Sequence, residues 1–247
     1  MHPILFRLGP ITFYSYGLMI ALSFLAANAL ATRRARALGM DPTSLQGVAL
    51  VVLLAGLVGG RLGYVIFHWD LYRSNLWEIF RFDHGGLVFY GGFAGGLLGA
   101  VWALRRARLP LLQTVELLVP PLVIAHAIGR IGCFLNGCCY GRFTHVPWGV
   151  TFPAELYPRH PTQLYESAAL IILFFGLKLL ERRAPRPGIL LAAYGLSYGL
   201  WRFLVEFLRG DNPPVACGLT LFQLVSLGLA GLSLYFLMVL RRSSRSR

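Results

Sequence analysis

Several side chains capable of acid–base or anion chemistry sit inside stretches that are otherwise apolar. His126 and Arg130 are four residues apart, and Tyr198, Arg202 and Glu206 repeat the same step, the spacing that stacks side chains on one face of a helix. Glu166 follows Tyr165 at the start of another apolar run, Arg61 interrupts Gly59-Gly60-Arg61-Leu62-Gly63, and Glu116 stands near the start of the run that carries Arg130. An ionisable group in hydrocarbon is costly, so it faces a cavity or a partner and marks a site. Two arginines reaching one depth from different helices can grip a phosphate, because guanidinium is a planar fork of donors that stays charged. Phospholipid headgroup phosphate lies at that depth. The plainer readings are that Arg202 pairs with Glu206, Arg61 snorkels, His126 is a core histidine and Glu116 is a neutral or paired structural carboxyl.

The four cysteines, Cys133, Cys138, Cys139 and Cys217, show no C-x-x-C pair and no histidine at zinc spacing, so no metal is expected. Cys133 could bridge to Cys138 or Cys139 in an oxidising compartment, or all can pack as small apolar residues at a span end. Nothing singles one out as an activated nucleophile.

These groups must be positioned by membrane-spanning helices. Of 247 residues, 56% are hydrophobic and 13% charged, about half the charge of an average soluble domain. Spanning a bilayer takes about 20 mostly apolar residues, and seven such stretches are found, near 13–32, 45–67, 85–104, 111–129, 162–180, 188–207 and 219–240. The net charge of +13 rests on 22 Arg and the single Lys178. In a soluble protein it would suggest nucleic acid. Here fourteen of the 23 basic residues cluster in alternate connections: Arg33, Arg34 and Arg36; Arg105, Arg106 and Arg108; Lys178, Arg182, Arg183 and Arg186; Arg241, Arg242, Arg245 and Arg247. By the positive-inside rule those connections are cytoplasmic, which places the N-terminus outside and the C-terminus inside. The connection after the second stretch is mixed, with Asp70, Arg73, Glu78, Arg81 and Asp83. Only Arg7 precedes the first stretch while three Arg follow it, the reverse of a signal peptide, so it is a retained span.

The expected fold is therefore all-α: a polytopic integral membrane helical bundle forming one domain over 1–247. The long polar segment 131–161, broken by Pro147, Pro153, Pro158 and Pro161, forms an extracytoplasmic loop or small cap. Gly56, Gly60 and Gly59, Gly63 in the second stretch, and Gly91, Gly95, Gly99 beside Gly92, Gly96 in the third, are small-xxx-small series that let helices approach closely. Some of them could instead admit a lipid headgroup.

The run His126-Ala127-Ile128-Gly129-Arg130-Ile131-Gly132-Cys133-Phe134-Leu135-Asn136-Gly137-Cys138-Cys139-Tyr140-Gly141 resembles the signature of the bacterial prolipoprotein diacylglyceryl transferase family. Further segments resemble that family in the same order: Tyr16-Gly17-Leu18-Met19, Gly60-Arg61-Leu62-Gly63-Tyr64, Gly85-Gly86-Leu87-Val88-Phe89-Tyr90-Gly91-Gly92, His160-Pro161-Thr162-Gln163-Leu164-Tyr165-Glu166, and Tyr198 to Phe207. The resemblance implies a seven-span transferase of the bacterial inner membrane, with its active site toward the outer face and no cofactor. Such an enzyme moves diacylglycerol from phosphatidylglycerol to the thiol of a prolipoprotein's lipobox cysteine and releases glycerol phosphate, the first step of lipoprotein maturation. Its partners are then phosphatidylglycerol, the precursor and the bilayer, with no nucleic acid.

Carried onto this chain, the family pattern implies Arg130, Arg202, Glu206 and Tyr90 as catalytic. It implies Arg130, Arg202, Tyr16, Asn136, Gly141, Tyr198, Arg61, His160 and Glu166 as contacts for phosphatidylglycerol. Three positions depart from it: Cys133 replaces Asn, Cys138 replaces Glu, and Tyr90 stands where many members carry His. Tyr90, Glu206 or the positive field of the arginine pair is then left to help the substrate thiol ionise, with field stabilisation of thiolate and leaving phosphate preferred. Two other function classes fit parts of the pattern. A flippase or transporter of anionic lipid would use the same arginines and glycines but needs an inward exit, and a membrane scaffold would tolerate neutralisation of every intramembrane charge.

Overall fold

The structure is a computed structural model that describes all residues except 10, 82–85, 154, 184–186 and 246–247, and omits the side chains of 11, 89 and 241–245. Asp83, Gly85, Arg186 and Arg247, each part of a sequence pattern above, lie outside the described residues. Two short strands come first, β1 (Ile4–Leu8) and β2 (Ile11–Tyr14). Long helices follow: α1 (Ser15–Ala37), α2 (Pro42–Phe67), α4 (Phe89–Arg106), α5 (Leu111–Asn136), α6 (Thr162–Glu181), α7 (Ile189–Glu206) and α8 (Leu221–Arg245). The short α3 (Trp69–Tyr72) and a 3-10 turn (Leu76–Phe80) lie between α2 and α4, and strands β3 (Pro214–Ala216) and β4 (Leu219–Thr220) precede α8.

Each of the seven apolar stretches coincides with a long helix. Five of these, α1, α2, α5, α6 and the 221–240 portion of α8, are long and apolar enough to cross a membrane. In α4 the glycines and in α7 the Tyr, Arg and Glu side chains dilute the apolar content. Large apolar side chains such as Leu98, Ile172, Phe175 and Tyr235 are exposed along the helices, as expected where the solvent is hydrocarbon. The fold is mostly helical, that of a polytopic helical membrane protein. Against the all-α expectation, antiparallel β1–β2 and β3–β4 hairpins are also present. The first turns at Gly9 in the left-handed region and stacks Phe6 on Phe13. Helix α5 runs on to Asn136 despite Pro120 and Pro121, so the irregular stretch begins at Gly137 rather than at 131.

The chain divides into two compact units, residues 30–114 and residues 1–29 with 115–247. In the first, Asp41 caps α2 by accepting from the Thr43 and Ser44 amides at 3.0 and 2.9 Å. Helices α2 and α4 then meet through glycine: a Cβ on Gly59 would come within 2.9 Å of Gly95 Cα, and one on Gly99 within 2.7 Å of Ala55 Cβ. The glycine series is a packing device.

In the second unit, Val119, Val123 and Ala127 of α5 pack with Leu170 and Leu177 of α6 and Leu190 of α7. Glu116 accepts from the Leu190 and Leu191 amides at 2.7 and 3.1 Å, so it caps the N-terminus of α7, where a carboxylate meets the helix dipole favourably. This is the paired structural carboxyl expected. Gly195 and Gly199 let α8 approach, since a Cβ on Gly199 would meet Ser226 O at 2.9 Å and Ala230 N at 3.1 Å.

Candidate active site

Three helices of the larger unit bring their charged groups to one place. Arg130 near the end of α5 makes an ion pair through Nε with Glu166 of α6. Arg202 of α7 approaches the other oxygen of the same carboxylate at 3.8 Å and pairs through Nη1 with Glu206, one turn further along its own helix. Glu166 is 1% exposed and the Glu206 side chain 0%, against 17% and 11% for the arginine side chains. Charges taken this far from water persist only when paired. Glu206 is further fixed by Asn212 Nδ2 at 2.6 Å and Thr220 Oγ1 at 2.9 Å, both donating to Oε1. The segment around β3 and β4 thus holds this carboxylate in place.

Arg130 and Arg202, from different helices, thus meet on one carboxylate, and the Arg202–Glu206 pair is the plainer reading of their spacing. Each guanidinium has five N–H donors, more than these carboxylates use. Tyr198 stands one turn before Arg202, its ring edge-on to His126 with centroids 5.1 Å apart. Tyr16 reaches this region because α5 has glycine at 132, where a Cβ would lie 2.9 Å from Met19 Cβ and 3.3 Å from Tyr16 Cδ2.

The cap is tied to the same helices by main-chain bonds. The Gly141 amide donates to His160 O at 2.8 Å and the Arg142 amide to Leu208 O at 2.8 Å. A Cβ at 141 would collide with His160 Cβ at 2.8 Å and Thr162 Cγ2 at 2.9 Å. Gly141 therefore serves close backbone approach. The Tyr165 hydroxyl lies 3.3 Å from His160 Nδ1 and accepts from Trp148 Nε1 at 2.7 Å. Burial, then the positive charge of Arg142, holds the His160 imidazole below its ordinary pKa. Asn136 is exposed at the end of α5.

Two expected site residues belong to the other unit. Arg61 is 3% exposed, and its guanidinium donates to the carbonyls of Glu78, Ile79, Arg81 and Gly86 at 2.7, 2.9, 2.8 and 3.2 Å. It neither snorkels nor presents its fork to a phosphate, because main-chain oxygens of the α2–α4 connection take it up. Tyr90, on the first turn of α4, is 67% exposed.

Other features escaped sequence reasoning. Asn212 and Thr220 meet Glu206 only through the hairpin, which has no periodic signal. Arg209 donates from Nε and Nη2 to Asp211 at 3.0 and 2.5 Å. Cys133, Cys138 and Cys139 are free thiols, with no bridge between them, and their sulfurs lie within 4.8 Å of one another. The absence of a metal-type spacing concealed this cluster, because a left-handed turn at Gly137 folds the later two back toward the first.

Comparison with known proteins identifies the family. The family model for prolipoprotein diacylglyceryl transferase matches residues 3–239. A phosphatidylglycerol–prolipoprotein diacylglyceryl transferase of Clostridium tetani is 36% identical over 233 residues, covering 92% of this chain and 93% of its own. The proteins so named from Nitratidesulfovibrio vulgaris and Aeromonas hydrophila are each 38% identical, covering 95% and 92% of this chain and 93% and 83% of their own. Matched by the family model over nearly its whole length and by relatives that it covers almost end to end, the chain belongs to the prolipoprotein diacylglyceryl transferase family.

Proposed function

We propose that this protein transfers the diacylglyceryl group of phosphatidylglycerol to the thiol of a lipobox cysteine in a prolipoprotein, forming a thioether and releasing glycerol phosphate. The observation that carries the site assignment is the meeting of Arg130 and Arg202 on Glu166. Glu166 marks a point where two guanidiniums already hold an anionic two-oxygen acceptor, and a phosphodiester presents the same pattern. In this reading the arginines hold the phosphate of the lipid and neutralise the charge that grows on it as the C–O bond breaks. That is differential stabilisation of the transition state, usually the largest catalytic contribution. Glu166 and Glu206 orient the arginines, and Tyr16, Tyr198, Asn136 and His160 line the headgroup region. Gly141 shapes the cap, and Arg61 frames the α2–α4 connection within its own unit, 30–114. Tyr90 and Glu206 stay candidates for helping the acceptor thiol ionise, with the positive field of the arginine pair preferred.

The same reading makes 1–247 one membrane domain of the bacterial inner membrane, with seven spans, an outer N-terminus, a cytoplasmic C-terminus and 131–161 at the outer face. The alternation of Arg-rich connections supports it. Incubating detergent-purified protein with phosphatidylglycerol and a lipobox peptide tests the reaction by mass spectrometry. A diacylglyceryl adduct on the cysteine peptide, absent from its serine counterpart, is expected. No adduct, or equal adducts on both, contradicts the assignment.

A further inference from the structure

The three clustered cysteines take no part in the ion-pair network, yet they are held with care. Cys133 lies one turn before the end of α5. The chain then bends through Gly137 at φ +76° and Cys139 at φ +64°, and the Cys138 amide donates to Cys133 O at 3.1 Å. Cys139 is a non-glycine residue in the left-handed region, where its Cβ crowds the backbone, a conformation that persists only where surroundings enforce it. The surroundings here are two side chains from the first turn of α6, each 1% exposed. Gln163 Nε2 donates to Cys138 O at 2.6 Å, and Thr162 Oγ1 donates to Cys139 O at 2.9 Å. The thiols are thus presented by main chain that is clamped from outside the cluster.

Three sulfurs bound to one ion at about 2.3 Å stand roughly 4 Å apart in trigonal or tetrahedral geometry. A trio already within 4.8 Å needs only small side-chain rotations to reach that. Thiolate donors select thiophilic cations, zinc foremost among the divalent ones, over calcium or magnesium. Three protein ligands leave one position of a tetrahedron open, as in sites that handle a substrate rather than brace a fold. Arg130 and Arg209 also place positive charge near Cys139, which offsets the excess negative charge of three thiolates on a divalent ion.

We propose that Cys133, Cys138 and Cys139 bind one zinc ion, and that its fourth position takes the sulfur of the acceptor cysteine. This rests on the transferase reading above. The acceptor S–H bond breaks as sulfur coordinates, and its proton passes to water. The sulfur lone pair then forms the S–C bond to the terminal glyceryl carbon of the diacylglyceryl group. The C–O bond to phosphate breaks, and glycerol phosphate leaves with that electron pair. Nothing is oxidised or reduced. A coordinated thiol is deprotonated outright, and metal coordination is an established way to activate a nucleophile. The two cysteines that replace Asn and Glu of the family pattern thereby acquire a common purpose.

The test uses the full-length protein, reduced and stripped of metal, titrated with cobalt(II) and then zinc. One equivalent of cobalt should bring up a thiolate-to-metal charge-transfer band that zinc abolishes, and that Cys138→Ser and Cys139→Ser each weaken several-fold. Cys217→Ser, outside the cluster, should leave the band intact, and circular dichroism confirms that the serine variants remain helical. The band should shift on adding a cysteine lipobox peptide but not its serine analogue. Transfer should fall at least tenfold in stripped protein and return with zinc. A missing cobalt–thiolate band, or a disulfide within the trio as the protein is isolated, overturns the proposal. Undiminished transfer without metal overturns it while leaving the transferase reading intact. A full band with no transfer from phosphatidylglycerol by zinc-loaded protein overturns the transferase reading and, with it, the use assigned to the fourth position.

Discussion

Arginine does opposite work in the two units of this chain. In residues 30–114 the buried Arg61 donates to four main-chain carbonyls, and the neighbouring α2 and α4 touch through glycine backbone. Those acceptors are part of the chain itself, so Arg61 organises a connection. In the other unit Arg130 and Arg202 meet side-chain carboxylates, Glu166 and Glu206, that arrive from separate turns and separate helices. A side-chain anion can be shared with, or exchanged for, an anion from outside. Burial alone therefore does not mark an arginine as functional; the identity of its acceptors does.

The largest effect that can break this contrast is on rate. Replacing Arg130 or Arg202 by Ala should lower transfer by about 1000-fold or more, roughly 4 kcal/mol of transition-state stabilisation, measured as diacylglyceryl adduct per unit time. Replacing Arg61 by Ala should instead lower thermal stability in detergent by several kcal/mol, as four carbonyls lose a charged donor at roughly 1.5–3 kcal/mol each. Any loss of activity should follow the loss of folded protein. If Arg61→Ala stays fully stable yet inactive, the contrast fails.

Smaller effects sharpen it. Gly95→Ala forces a Cβ against Gly59 Cα at 3.0 Å and should cost about 1–3 kcal/mol in the same melting assay, as overpacking does. Glu116→Ala should cost about 1 kcal/mol by uncapping α7, with Glu116→Asp recovering part of it. The smallest effect is expected in the cap. There the Tyr140 hydroxyl donates to Glu155 at 2.6 Å and Arg159 donates to it at 3.0 and 2.5 Å. These bonds, Tyr140 foremost, hold the Glu155 carboxyl below its ordinary value of 4.5. A depressed carboxyl contributes stability that is complete above its unfolded pKa and is lost as pH falls through the folded one. His160, also depressed, acts in the same direction below pH 6.5. Amide protection of residues 137–160, corrected for intrinsic exchange, should therefore decline from pH 7 to pH 4, and Glu155→Gln should flatten the acid end of that profile.

Most of the fold was legible in the sequence because hydrocarbon imposes a simple rule: apolar runs of span length become helices, as at 45–67 and 162–180. That the charges in such runs must find partners was legible for the same reason, while the pairing of Arg130 with Arg202 was implied only by the family resemblance. What was hidden depends on contacts between distant residues or on backbone handedness. Nothing local to Arg61 announces that carbonyls 17 to 25 residues later will surround it. The hold of Asn212 and Thr220 on Glu206 arises from the β3–β4 turn. The cysteine cluster depends on left-handed residues at 137 and 139, the second of which is not the glycine that would have signalled it.

The central claim, that Arg130 and Arg202 together grip the lipid phosphate through their forked donors, is tested most directly by lysine at each position. Lysine keeps Glu166 and Glu206 paired and the helices assembled, but cannot present two parallel donors to a phosphate. Transfer from phosphatidylglycerol to a cysteine lipobox peptide by Arg130→Lys and Arg202→Lys should fall at least about 100-fold while thermal stability stays near that of the parent protein. Activity within about threefold of the parent in either variant would contradict the account.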